Sequence, residues 1–167
     1  MDIPVRPIEN TIHASTRNIS KFLDEILRPI FDEKCKKTTI IDGSHLITEL
    51  LKHSKKGLLQ STTLFCTFDI RNLYTMLPQD GALNTLMDFL HIHSYKKVKG
   101  INLDTIRKLA SIVIKENAFV YGNKIYKQTT GGAMGSSFTL TLANIFMWKW
   151  QQQIVDEQAT TGEFYGR

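Results

Sequence analysis

The chain has 167 residues, 42% of them apolar and 22% charged, with a formal net charge of +5 and a pI near 9.2. That length supports one domain with a real core, and the positive balance leans toward a polyanionic partner such as nucleic acid. Two distant cysteines, Cys35 and Cys66, argue against a disulfide framework or a zinc site. The first residues form no apolar leader and no apolar run reaches bilayer length, so an intracellular, soluble protein is expected.

In chain order, the prolines at 4 and 7 predict a short extended piece over 5–8, with Arg6 between them. Ser15 or Thr16 then caps a helix with Ile19, Phe22, Leu23, Ile26 and Leu27 on one face, ending near Pro29, while Arg17, Lys21 and Arg28 face water. A basic loop, Lys34-Cys-Lys-Lys37, follows. Asp42, Gly43 and Ser44 start a second helix with Leu46, Ile47, Leu50 and Leu51 inward. Lys52, His53, Lys55 and Lys56 close it, where cations favour the negative end of the dipole, and Gly57 stops it.

The stretch Thr63-Leu-Phe-Cys-Thr-Phe-Asp-Ile-Arg-Asn-Leu-Tyr-Thr-Met-Leu-Pro78 begins as a β-branched and aromatic run that reads as a buried strand. It reaches a carboxylate at Asp69 and breaks into a turn that ends at Pro78. An aspartate at a strand end holds a divalent cation steadily, because a hard oxygen ligand on a strand wanders less than one on a loop. Equally, an aspartate after an apolar run serves as a turn or helix-cap residue.

Leu83, Leu86, Met87 and Leu90 predict a helix over about 79–93, at whose end His91 and His93 stand on different faces and suit a dipole contact or solvent better than a metal. Asn102 caps a helix over about 103–115, and Gly122-Asn123 between two strand-like runs predicts a β-hairpin. Gly131-Gly132-Ala-Met-Gly135 is a turn running into a long helix over about 138–157, which carries Leu140, Leu142, Ile145, Phe146, Trp148 and Ile154. Trp148 and Trp150, two apart, cannot both face one core. The order predicts an α+β domain with helices packed on one side of an antiparallel sheet.

The glycine turn lacks the P-loop pattern. It is either a plain helix start, or a place where Gly131, Gly132 and Gly135 let a nucleotide or template strand approach the main chain at a helix end whose dipole favours anions.

Phe68-Asp-Ile-Arg-Asn-Leu-Tyr-Thr-Met-Leu-Pro78 resembles the first catalytic motif of reverse transcriptases, in the form used by Penelope-like retroelements. Tyr126-Lys-Gln-Thr-Thr-Gly-Gly-Ala-Met-Gly-Ser136, continued to Ala143-Asn144, resembles their second motif, and Arg6-Pro7-Ile8 resembles the arginine-bearing fingers motif. The three occur in the family's order and span nearly all of the chain.

The resemblance implies a right-hand polymerase fragment in one incomplete domain: fingers over 1–60, palm strand and turn over 61–81, fingers helices and hairpin over 82–130, palm helix and the start of the next strand over 131–167. Asp69 and the carbonyl of Ile70 would be metal ligands and Asp69 the catalytic carboxylate; Tyr74 would gate the sugar. Arg6 would meet the triphosphate, with Met134 and Gly135 also in the nucleotide site. Gly132, Ser136 and Asn144 would meet template or primer.

The expected cofactor is Mg²⁺, as two ions in a complete enzyme; the expected partners are an RNA template, a DNA primer and deoxynucleoside triphosphates, with no membrane and a nuclear location. The chain departs from the family pattern at Ser136-Ser137 and Thr139-Leu140, where Ser-Pro pairs are usual, and at Gln151, where a Glu is usual. It reads as cut at both ends, and it stops at Phe164-Tyr165-Gly166-Arg167 without the aromatic-x-Asp-Asp motif. A chain with Asp69 alone is expected not to polymerise, since two-ion transfer needs carboxylates from both motifs. Rival readings are a decayed nucleic-acid-binding module and a helical interaction protein.

Overall fold

A computed structural model describes residues 14–167. The extended piece expected over 5–8 and Arg6 lie outside the described residues. The element order is α1 (Arg17–Lys34), α2 (Gly43–Lys55), α3 (Leu73–Met76), α4 (Gln79–Ile92), β1 (Lys97–Val98), β2 (Ile101–Asn102), α5 (Leu103–Lys115), β3 (Ala118–Tyr121), β4 (Lys124–Lys127) and α6 (Ser137–Thr161). Helix and strand are thus mixed, as an α+β class requires. Among the described residues, however, the strands form two separate antiparallel hairpins and not one sheet under the helices.

The core is helical. Leu23, Ile26, Leu27 and Phe31 of α1 meet Leu83, Leu86, Phe89 and Leu90 of α4, Ile106 and Ile114 of α5, and Phe138, Leu142 and Ile145 of α6. Helix α1 does not end near Pro29 as expected but runs through it. Pro29 is on the solvent side, so the carbonyl it leaves unpaired can bond water, while burying Ile30 and Phe31 immediately after it holds the helix together. Its expected inward Phe22 is 38% exposed. Arg28 and Lys21 do not simply face water: they pair with Asp24 at 2.8 Å and Glu25 at 3.8 Å.

Helix α2 forms where expected, with the Asp42 carboxylate accepting from the His45 N–H at 2.8 Å. Its apolar face is not inward, since none of its residues is buried and Ile47 and Leu51 stand more than half exposed. Periodicity makes a helix amphipathic, but only a facing surface buries the stripe.

The hairpin at Gly122-Asn123 pairs Val120 with Ile125 and Tyr121 with Lys124 around two residues of positive φ. The hairpin β1–β2 was not foreseen; Lys99 and Gly100 turn it with φ of +46° and +83°, the same mirror-type turn without the usual asparagine. Helix α6 starts near its expected place and ends at Gly162, whose φ of +72° makes the left-handed stop that glycine tolerates. Leu140 of α6 is 39% exposed, while Thr139, Thr141 and Gln151 are buried.

Candidate functional site

The strand expected over 63–69 does not form. Residues 64–70 make no backbone hydrogen bond with any described residue, and Leu64, Phe65 and Phe68 are 86%, 70% and 60% exposed. A strand is held by a neighbour's ladder, and among the described residues none lies beside this run. Phe68 instead rests edge-on against Trp150 of α6, ring centroids 5.8 Å apart. Trp148 turns the other way and meets Phe89 in the core at 5.0 Å, so the two tryptophans do face opposite sides.

Past Asp69 the chain turns through Asn72, left-handed at φ +58°, into the short helix α3. There the two motif stretches touch. The Gly131 N–H donates to the Leu77 carbonyl and the Gly132 N–H to the Tyr74 carbonyl, both at 2.8 Å. A Cβ on Gly131 would come within 2.4 Å of that Tyr74 oxygen; one on Gly132 would come within 2.5 Å of Ile114 Cδ1 and 2.7 Å of Thr139 Cγ2. The close approach that these two glycines permit is therefore made by the protein's own turn and side chains, and Gly132 is buried beneath them. Gly135 is exposed.

Two amides that no local pattern announced hold the glycine loop. Gln79 Nε2 donates to the carbonyls of Ile114 (3.0 Å), Gly131 (3.0 Å) and Gln128 (3.3 Å). Asn117, its amide turned to satisfy both ends, donates to the Val113 carbonyl at 3.2 Å and accepts from the Ala133 N–H at 3.1 Å. Behind the loop, Ser136 shares a 2.8 Å hydrogen bond with Ser20 of α1, whose hydroxyl also accepts from the Phe138 N–H. The Ser136 hydroxyl thus faces α1. The partners of Gln79 and Ser20 lie 35 to 118 residues away in sequence, which is why spacing could not reveal them.

One groove of about 1370 Å³ runs between α2, the 57–75 segment, α6 and the 162–167 segment. Of the expected site residues, Asp69, Ile70, Tyr74, Met134 and Asn144 line it, and Gly132, Gly135 and Ser136 do not. Glu163, Arg71, Cys66 and Arg167 line it as well.

Arg167 is anchored: its guanidinium donates to the Asn144 carbonyl at 3.1 Å and lies 5.2 Å over the Phe31 ring, and its backbone pairs with Thr38 and Ile40. Burial lowers its pKa. Burial also pushes the Cys35 thiol up to about 11, although the charge of Arg167 pulls it the other way, so Cys35 is a packing residue and not a nucleophile.

His93, expected at a dipole or in solvent, packs against Phe89 at 4.7 Å and Trp148 at 5.9 Å, with its Nε2 buried and unpartnered among the described residues.

The groove offers an exposed carboxylate at Asp69, a main-chain carbonyl at Ile70 and a phenol at Tyr74. Among the described residues no three His, Cys, Asp or Glu side chains come together. Among the described residues no helix is long and apolar enough to cross a membrane. No protein-family model, curated protein or solved structure matches the chain.

Proposed function

We propose that this chain is the nucleotide-handling part of an RNA-directed DNA polymerase of the Penelope-like type, with fingers and palm elements. The observation that carries the reading is the single groove lined by Asp69, Ile70 and Tyr74 from one motif and by Met134 and Asn144 from the other. Two backbone hydrogen bonds between the Tyr74 turn and the glycine loop support it, because they couple the two motifs rigidly.

In this reading Asp69 and the Ile70 carbonyl supply oxygens to Mg²⁺, which would neutralise charge on the incoming triphosphate. Tyr74 places its ring against the sugar, where a 2′-hydroxyl would be crowded. Met134 packs on the nucleotide beside Gly135, and Asn144 meets template or primer. Arg6, by resemblance, meets the triphosphate. Substrates are deoxynucleoside triphosphates on an RNA template and DNA primer, in the nucleus.

The chain should bind a labelled RNA–DNA primer–template in fluorescence anisotropy, with affinity that falls as salt rises. No binding, or binding indifferent to salt, overturns the proposal. In a primer-extension assay with Mg²⁺ the 167-residue chain should add no nucleotide above background, having one of the two carboxylate sets.

A second reading, a module that binds nucleic acid without catalysis, is favoured by Ser136-Ser137 and Thr139-Leu140 in place of Ser-Pro pairs. Joining an aromatic-x-Asp-Asp segment after Arg167 separates the two: gain of extension supports the enzyme, and continued silence the binding module.

A further inference from the structure

Residues 64–70 are strand-forming in composition, open along both backbone edges toward all described residues, and among the most exposed apolar residues of the molecule. Written as a strand, they alternate: Leu64, Cys66, Phe68 and Ile70 share one face, and Phe65, Thr67 and Asp69 the other. We infer that this run is an interaction edge for a second copy of the same chain, pairing antiparallel about a two-fold axis through Cys66.

The occupant follows from self-complementarity. A two-fold on Cys66 sets Leu64 opposite Phe68 on the apolar face and Phe65 opposite Thr67 on the other. Asp69, the one carboxylate in the run, falls opposite the neutral Thr63, so no like charges meet. Moving the axis one residue toward Asp69 would instead put that carboxylate opposite Phe65 and desolvate it against a ring. Leu46, Leu58, Leu64, Phe65, Phe68, Ile70 and Met134 all line the same groove and are each more than a third exposed. Long exposed apolar edges associate unless something blocks them, and no lysine or proline interrupts this one.

Cys66 gives the pairing a direct readout. Cys66 opposes itself at a non-hydrogen-bonded position, with Cα atoms about 4.5 Å apart and within disulfide reach, which makes Phe65 and Thr67 the hydrogen-bonded pair on either side. Cys35 is buried and cannot compete. In a test with diamide, two Cys66 thiols give up two protons and two electrons, diamide takes both up, and one S–S bond forms.

Sedimentation equilibrium of the whole chain, without nucleic acid, should show a monomer–dimer equilibrium, and diamide should yield a covalent dimer that dithiothreitol reverses. Thr67→Pro removes a ladder N–H at an exposed position and should weaken association about tenfold or more. Cys66→Ser should abolish the covalent dimer and keep the reversible one. A monomer at every concentration, an association that Thr67→Pro leaves unchanged, or open-ended aggregates without a discrete dimer would each overturn the inference. A monomer that takes up an added strand peptide assigns the edge to another partner and overturns it too. Because the pairing would cover Asp69 and Ile70, self-association and nucleotide binding compete for one groove; association is read without nucleic acid, so its failure leaves the polymerase reading to be judged by primer–template binding alone.

Discussion

The side-chain amide of Gln79 faces three carbonyl oxygens drawn from the end of α5, the end of β4 and the glycine loop. Gln79→Glu would point a carboxylate at those three acceptors. At the first turn of α4 a carboxylate gains about 0.3–1 kcal/mol from the dipole, but orphaning buried carbonyls costs about 1–3 kcal/mol. The variant should therefore be destabilised by about 1–2 kcal/mol, read as a lowered urea midpoint.

At the same scale, burial between Phe89 and Trp148 holds the His93 imidazole below its ordinary 6.5, with Lys34 acting in the same sense and Glu33 against it. The folded state thus prefers the neutral ring. The stabilisation is complete above 6.5, where the unfolded chain is also neutral, and is lost as pH falls through 6.5 toward the lower folded value. Urea midpoints should fall between about pH 7.5 and about pH 5.5, and His93→Phe, which keeps the ring contacts, should flatten that slope. His93 was visible in the sequence as a titratable group. Its burial was not, because Trp148 reaches it from 55 positions away in the chain.

Helix α6 begins at Ser136, whose own hydroxyl makes no cap, and takes its cap from Ser20 of α1. The hydroxyl accepts from the Phe138 N–H at 3.2 Å, one of the amides a helix start leaves unpaired. A second tie follows one turn on, where the Thr141 hydroxyl donates to the Asp24 carboxylate that Arg28 also holds. Ser20→Ala should cost about 0.5–2 kcal/mol in urea unfolding, as loss of a cap does elsewhere, although Ser20 lies within the first turn of a different helix, α1, and would read as a neutral substitution.

Elements with local causes were legible. Gly122-Asn123 specified its hairpin through positive φ, and the apolar period of 83–90 specified α4. The run over 63–69 has the composition of a strand and no partner to make it one. The cap of α6 is a contact between helices that no local window contains.

For the molecule as a whole, stability rests on the α1–α4–α5–α6 core and owes little to α2. Leu86 is fully buried, so Leu86→Ala should cost about 2–5 kcal/mol. Ile47 is apolar and at a helical core spacing, yet 60% exposed, and Ile47→Lys should change stability by no more than about 0.5 kcal/mol. Equal costs from the two substitutions in the same urea series would mean that α2 is packed in solution.

By itself the sequence determined where helices start and turn, because caps, periods and glycine positions act within a few residues. It also carried the three motif resemblances and their order. Tertiary structure alone decided which apolar faces are covered: α1 runs on past a proline, α2 stands bare, and the run before Asp69 stays open. It alone decided that Gly131 and Gly132 serve the chain's own close packing, and that Asp69, Tyr74, Met134 and Asn144 share a groove. Burial and long-range hydrogen bonds depend on what lies across the fold, and a local pattern holds no record of that.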